Sequence, residues 1–402
     1  MTVRIFNTLS AKVEDIKGRG LNPSHINMYI CGPTVYDSPH VGHSRSYLFF
    51  DVLKRVLMLD GYTVSHIQNF SDVDEKIDRR AQTERVDPLR LALKYSDEFI
   101  SQMDMLNVIR PERYVRASES RDIMHKITLS FIQKDFVYEA SGNMYFRAMK
   151  GGGYGSLLHN RLDNLICGNE SDSYTFVKEN KEDFTLWLGK FSKTDISAGL
   201  PSWNLECFSM VHRFFGCELD IQGGGMDLIF PHHEVASVMS KAYCSVEFAN
   251  YYVHNAFVTN NNDKMSKSTK NFVSLHSLLD GYSPDAIRMY LLSSNFRTNI
   301  EFSFSSLKRF ESLASLLSER GSKSGAGEGG REVNVDESKH ASGRWIRFFD
   351  LLRNNVDTAD ALGVLTETAE SYGFSGRSGR TDFRLMCAAL GLFGYRPIAS
   401  VN

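Results

Sequence analysis

The sequence predicts an α/β protein: a parallel sheet interrupted by an insertion and followed by an α-helical C-terminal module. Three observations carry that expectation. A strand–loop–helix–strand unit occupies residues 28–67. Strand and helix patterns return over residues 200–295, after a segment that breaks them. Beyond a Gly/Ser-rich run at residues 321–330 the pattern is helical.

The first unit organises the rest. Met28, Tyr29 and Ile30 form a short apolar run that reads as a buried strand, and Cys31-Gly32-Pro33 breaks it. After a loop with two histidines, apolar residues recur at Leu48, Phe49, Val52, Leu53, Val56 and Leu57, the spacing of one helix face. Tyr62 to Ile67 alternates as a strand does. The result is a βαβ unit whose first loop holds Cys31, His40, Gly42 and His43. In such units ligands sit where strand C-termini meet helix N-termini, and a helix N-terminus favours phosphate. The predicted core is therefore a Rossmann-like nucleotide-binding parallel sheet.

Along the chain, Asp87 to Asn107 reads as an amphipathic helix with Leu91, Leu93, Tyr95, Phe99, Ile100 and Met103 on its apolar side, stopped by Pro111. Residues 115–195 break the pattern. Val137-Tyr138 and Met144 to Phe146 read as short strands around Gly142, and Asp183 to Trp187 marks the return toward the core. Gly151 to Gly155 reads as a flexible connection, because it lacks the Lys-Ser/Thr of a phosphate loop. Cys217 to Ile221 and Tyr251 to Val258 read as strands. Pro231 to Tyr243 reads as a helix with proline in its first turn, where a missing N–H costs nothing. Pro284 to Leu292 is helical. Gly321 to Gly330 reads as a flexible tether. Helices are expected at Trp345 to Leu352, Ala359 to Tyr372 and Phe383 to Phe393. No internal repeat is evident.

Composition sets bounds. At 402 residues the chain is long enough for two or three domains, and 42% apolar with 23% charged residues is an ordinary globular balance. A net charge of −2 gives no global field for nucleic acid, although a local basic patch suffices. No apolar run approaches a membrane span, and the N-terminus lacks a signal-peptide pattern, so a cytoplasmic protein without a membrane partner is expected. The cysteines follow no framework spacing. Cys167, Cys217, Cys244 and Cys387 are expected to be reduced, buried thiols.

The motifs point to function. His40-Val41-Gly42-His43 resembles the HIGH signature of class I aminoacyl-tRNA synthetases, and Lys264 to Ser268 is a verbatim KMSKS signature on the expected side of it. Flanking residues narrow the resemblance to cysteinyl-tRNA synthetases: Cys31 to Asp37 (CGPTVYD), Gln68 to Ile77 (QNFSDVDEKI), Gly223 to Leu228 (GGGMDL) and Phe230 to Glu234 (FPHHE). The likeness runs over residues 1–395. It implies a catalytic Rossmann-like domain whose first half is 1–114 and whose second half, with the KMSKS loop, is 197–295. A connective insertion would occupy 115–196, linking helices 296–320, the Gly/Ser-rich linker 321–330 and a helical module, a truncated tRNA-binding region, 331–402.

The resemblance also implies an ATP-dependent ligase. Cysteine and ATP would give cysteinyl-adenylate and pyrophosphate, and the acyl group would pass to the 3′ end of tRNA(Cys). His40, His43, Lys264 and Lys267 take the catalytic roles in this reading, with ATP held by His40, Gly42, His43 and Lys267 and accompanied by Mg2+. Such chemistry needs positioning and charge stabilisation more than covalent catalysis. Histidines at a helix N-terminus can donate to phosphate oxygens, Gly42 lets a purine lie against the backbone, and a lysine-bearing loop can reach the triphosphate from the other side. The adenylate would contact Cys31, Gly32, Pro33, Thr34, Ser46, Asn69, Trp203, Gly225 and Asp227. One Zn2+ per chain would sit on Cys31, Cys207 and His232. Zinc prefers a thiolate to a hydroxyl, so it would select L-cysteine over serine directly. A monomer is expected.

Two features depart from the family. The family reads HHENE, with a fourth zinc ligand four residues after the first histidine. This chain reads His232-His233-Glu234-Val235-Ala236, and alanine cannot bind metal. Either three residues hold zinc and the substrate thiolate completes the tetrahedron, the preferred arrangement because it is an open catalytic site, or His233 or Glu234 substitutes. The sequence also stops at Asn402, short of the family's anticodon-binding tail. Weaker anticodon dependence is therefore expected, with recognition through the acceptor end and the helices after Arg331. These same features fit the related mycothiol-pathway ligase, which couples cysteine to glucosaminyl-inositol. The CGPTVYD form, Arg45 within VGHSRSYLFFD and the run Asp74 to Ile77 favour the synthetase. Intact HVGH and KMSKS argue against a non-catalytic paralogue.

Overall fold

The computed structural model describes residues 2–159, 177–195, 198–265, 271–326, 330–372 and 374–398. Five strands build the central sheet: β1 (His25–Ile30), β2 (Thr63–Phe70), β3 (Arg113–Arg116), β4 (Leu219–Gly225) and β5 (Ala249–Asn255). Their spatial order is β5-β4-β1-β2-β3, and every neighbouring pair is parallel. The apolar residues of β1 and the body of β4 are buried, as expected for a sheet covered on both faces. The chain moves outward from β1 through β2 to β3, then returns to the other side of β1 with β4. The β1/β4 boundary is thus a switch point, where a crevice opens beyond the strand C-termini. Gly223 sits at this boundary. A Cβ there would lie 2.5 Å from both Ile30 and Phe50, so only glycine lets the strand pack this closely.

α1 (Val41–Leu59) links β1 to β2 and starts on His40, whose backbone is extended at φ −114° and ψ 166°. Between β3 and β4 the chain builds a separate antiparallel sheet from Val137–Ala140, Asn143–Phe146, Phe184–Leu188 and Leu200–Pro201. Its Trp187 is fully buried and donates its indole N–H to Thr128 Oγ1 at 2.8 Å. α2 (Trp203–Phe215) leads into β4, and α3 (Glu234–Cys244) leads out of it toward β5. The regular helix starts at Glu234, not Pro231, because Phe230 is extended (φ −135°, ψ 135°) and an irregular turn separates it from α3.

The C-terminal helices pack on α1. α4 (Pro284–Leu292) and α5 (Phe304–Ser324) are followed by helices at Gly343–Arg353 and Thr358–Glu367, then by α6 (Gly376–Leu390). Two fully buried arginines join the layers. Arg55 of α1 donates to Asp51 Oδ2 at 2.9 Å and to the carbonyls of Ala388 and Tyr395 at 3.0 and 2.8 Å. Arg288 of α4 donates to the same carboxylate and to the carbonyls of Leu390 and Leu106 at 2.9 and 2.8 Å. Burial pushes the Asp51 carboxyl up, but the two guanidiniums outweigh it and hold the group below its usual range.

Two expectations need correction. The flexible tether does not begin at Gly321: α5 continues through Ser324, because Gly321 is buried and packs on Phe383, whose ring a Cβ would meet at 2.4 Å. Cys217 and Cys244 are not separate thiols but a disulfide, with Cα atoms 6.2 Å apart. Cys387 is a buried free thiol. Cys167 lies outside the described residues. Among the described residues no helix is long and apolar enough to cross a membrane.

Candidate active site

The end of β1, the start of α2 and the turn before α3 meet in the β1/β4 crevice. They bring Cys31, Cys207 and His232 together, all buried, with one ligand atom from each within 4.8 Å of the others. Cys31 Sγ lies 3.4 Å from His232 Nε2. His232 Nδ1 is 2.8 Å from Asn204 Oδ1; an acceptor there places the proton on Nδ1 and leaves Nε2 as a free donor atom facing the thiols. The hydrogen bond from Cys31, with His232 beside it, pulls the Cys207 thiol well below its usual range against the push of burial. Burial pushes Cys31 in the opposite direction. Two thiols and an oriented imidazole, one thiol poised to ionise, form a donor set that fits zinc.

The fourth side of the cluster carries no protein donor among the described residues. Ala236 is buried and has none to offer. Glu234 points elsewhere: its carboxylate accepts the N–H groups of Gly155, Ser156 and Leu157 at 2.8, 3.2 and 2.9 Å. The glycine-rich connection after Gly151 is therefore tied down by a carboxylate rather than shaped around a phosphate. His233 Nε2 lies 3.3 Å from Cys31 Sγ, but accepts the Gln222 amide at 2.9 Å. A chain of hydrogen bonds follows: His233 Nδ1 is 2.7 Å from His254 Nε2, and His254 Nδ1 is 2.8 Å from Thr8 Oγ1. Burial holds both imidazoles neutral, His254 at about 3.

Trp203 stacks on His232 with ring centroids 4.6 Å apart and planes 5° apart, yet is 46% exposed, so it walls the open side. The other residues singled out in the sequence line the same strand ends. The Gly32 N–H donates to Asn69 Oδ1 at 2.7 Å. Pro33 accepts the Ser71 N–H at 3.3 Å, and Thr34 bridges to Ser71. Ser46 donates to Asn255 Oδ1 at 2.8 Å. A Cβ on Gly225 would collide with Asp227 Oδ1 at 2.4 Å. Asp227 accepts from Lys264 Nζ at 2.6 Å, and that ammonium stands 4.5 Å over the Phe257 ring. His40 and His43 stack at the α1 N-terminus with centroids 3.8 Å apart, flanking Gly42. Lys267 lies outside the described residues.

Sequence reasoning missed Asn204, Gln222, His254 and Asn255. One signal pointed to Gln222 and His254: each is a polar side chain inside an otherwise apolar strand, and such groups need partners.

The sequence matches the family model for the class I (C) tRNA synthetase catalytic domain over residues 18–312. A cysteine–tRNA ligase of Oenococcus oeni is 35% identical, with 98% of this chain covering 87% of that protein. One from Thermococcus gammatolerans is 34% identical, with 92% of this chain covering 80% of it. A Mycobacterium tuberculosis methionyl-tRNA synthetase solved with methionyl-adenylate shares the fold at a TM-score of 0.62 and 15% identity, over 91% of this chain and 89% of that one. A LeuRS–tRNA–LeuAMS complex from Agrobacterium radiobacter K84 gives 0.63 at 11% identity, over 93% and 84%. With an open Cys/Cys/His cluster at the switch point of a parallel sheet and this extent of matched sequence, the chain belongs to the cysteine–tRNA ligases of the class I aminoacyl-tRNA synthetase family.

Proposed function

We propose that this chain is a cytoplasmic, monomeric ligase that activates L-cysteine with ATP and transfers it to the 3′ end of tRNA(Cys). The observation that carries the reading is the three-donor cluster of Cys31, Cys207 and His232, open on the side walled by Trp203. Cys31, Cys207 and His232 would hold zinc there, and the metal would supply a soft position for a substrate thiolate that the hydroxyl of serine fills poorly. Asn204 keeps His232 Nε2 aimed at the cluster, and Gln222 fixes the neighbouring His233 so that it accepts a hydrogen bond. Trp203 limits the pocket to a small side chain.

With cysteine in place, Asp227 receives its ammonium group and gives up Lys264. The cysteine carboxylate then attacks the α-phosphorus of ATP, the bond to the β-phosphate breaks, and pyrophosphate leaves. His40 and His43 at the α1 N-terminus donate to phosphate oxygens, where the helix end also favours negative charge. Lys264, released from Asp227, and Lys267 close on the triphosphate from the opposite side, with Mg2+ accompanying the nucleotide. Gly32, Pro33, Thr34, Ser46, Asn69 and Gly225 shape the strand-end wall against the adenylate. The ribose hydroxyl of the tRNA terminus then takes the acyl group and AMP departs. The relatives named above are tRNA ligases, so the mycothiol-pathway reading is not favoured.

Purified protein given ATP, cysteine and labelled pyrophosphate, then offered tRNA(Cys) or glucosaminyl-inositol, tests this. The expected result is cysteine-dependent exchange into ATP and acylation of the tRNA alone. Exchange without tRNA acylation, or no exchange, overturns it.

A further inference from the structure

A second group of metal-type side chains lies outside the crevice. His212, Cys217 and Cys244 each place a ligand atom within 4.8 Å of the others. All three are half-buried. His212 sits in the last turns of α2, Cys217 just after that helix, and Cys244 at the end of α3. The ring of His212 is packed between Phe208, stacked at 6.3 Å, and Tyr243, edge-on at 4.8 Å. Its Nδ1 is buried and makes no hydrogen bond of good geometry among the described residues, although the Gly216 backbone lies close enough to the ring to act on its charge. A buried imidazole nitrogen without a well-formed hydrogen bond, beside two sulfurs, is a ligand atom lacking a ligand.

The helices matter as much as the residues. α2 carries Cys207 in its second turn, and α3 follows directly on His232. The opposite ends of the two helices that present the crevice cluster are thus fastened to each other at Cys217 and Cys244.

We propose that His212, Cys217 and Cys244 form a second, redox-gated zinc site. With the disulfide intact, the sulfurs are bonded to each other and neither is a thiolate, so the site excludes metal. A dithiol reductant opens it: the sulfur–sulfur bond breaks, the two sulfurs gain two electrons and two protons, and the reductant's thiols become its own disulfide. Binding Zn2+ then releases those two protons to solvent. The cation would be held by two thiolates and a ring nitrogen of His212, with water in the fourth place. A tetrahedral site sets the sulfurs roughly 3.8 Å apart, given zinc–sulfur bonds of about 2.3 Å. That distance needs only a small parting of the helix ends. In reducing surroundings a closely placed Cys/Cys/His set takes metal more readily than it keeps a disulfide. The proposal does not rest on the crevice binding zinc.

The test measures metal on the full chain, in a Cys31→Ser background that disables the crevice cluster. One portion is reduced with a dithiol without oxygen and the other oxidised; peptide mapping verifies the Cys217–Cys244 link in the second. Both are loaded with Zn2+, freed of unbound metal and analysed for zinc. The expected result is one zinc per chain when reduced and none when oxidised, with the reduced-state zinc lost on adding Cys217→Ser. In the otherwise unaltered chain, Cys217→Ser should remove only the redox-dependent zinc. His212→Gln, which spares both sulfurs, should weaken that zinc about tenfold or more against a chelating dye. Equal zinc in the two redox states, zinc that survives Cys217→Ser, or unchanged affinity in His212→Gln overturns the site.

Discussion

His66, in β2, is buried with neither ring nitrogen hydrogen-bonded among the described residues. Burial, with Lys54 adding to it, holds its imidazole well below the ordinary value of 6.5. In acid the unfolded chain protonates this residue and the folded chain does not. The folded state keeps its full stability above pH 6.5 and loses it as the pH falls below, by up to about 1.4 kcal/mol per unit for this one group. His66→Leu removes the linkage while keeping an apolar side chain of similar bulk. Urea unfolding at pH 7.5 and pH 5.5 should show a smaller acid loss for the variant than for the parent; an equal loss refutes the assignment. Sequence alone reached such residues unevenly. Cys31, His40, His43 and Lys264 stand in contiguous strings that can be read locally. Cys207 has no string around it and entered only through likeness to a family. Asn204 and His254 were missed because their roles depend on partners 28 and 246 residues away, His232 and Thr8.

At the scale of elements, regular periodicity was the reliable guide. α4 spans Pro284–Leu292 as expected, and the helix starting at Pro88 buries Leu91, Tyr95, Phe99 and Met103 of its expected stripe, while Leu93 is exposed. Composition was the weaker guide. Gly321 to Gly330 looked like a tether because glycine and serine favour coil locally, but the stretch through Ser324 is helical where Gly321 meets Phe383. That contact spans the chain from residue 321 to 383, and local preference cannot register it. The two readings predict opposite signs. In an exposed helix, Gly321→Ala stabilises by about 1 kcal/mol, and in a loose tether it does nothing. Against the Phe383 ring, the added methyl overpacks and should cost about 1–3 kcal/mol. The denaturant midpoint of the variant decides: a lower midpoint supports the buried helix, an unchanged one returns the segment to a tether, and a raised one makes the helix exposed at Gly321.

Across the whole molecule, the sheet gathers residues that the chain keeps far apart. β1 runs into Cys31, β4 carries Gln222, and α2 and the turn before α3 bring Cys207 and His232, so the cluster depends on the parallel order around β1 and β4. That the sheet is parallel and split by an insertion was legible from a βαβ unit followed by a second strand–helix set, but the strand order was not, and the edge strand Arg113–Arg116 carried no signal that was read. His40 and His43, proposed above to hold ATP, flank the first turn of α1 and share no ligand with the cluster. The two functions should therefore separate. Cys207→Ser leaves the sheet and the α1 N-terminus in place but removes the thiol most ready to ionise. ATP affinity by calorimetry should stay within a factor of about two. Zinc at the crevice should be lost, and the preference for cysteine over serine in pyrophosphate exchange should fall by at least about 10³-fold, near 4 kcal/mol at about 1.4 kcal/mol per decade. A Cys207→Ser protein that still rejects serine would mean that the shape of the pocket beside Trp203, rather than sulfur on a metal, makes the choice.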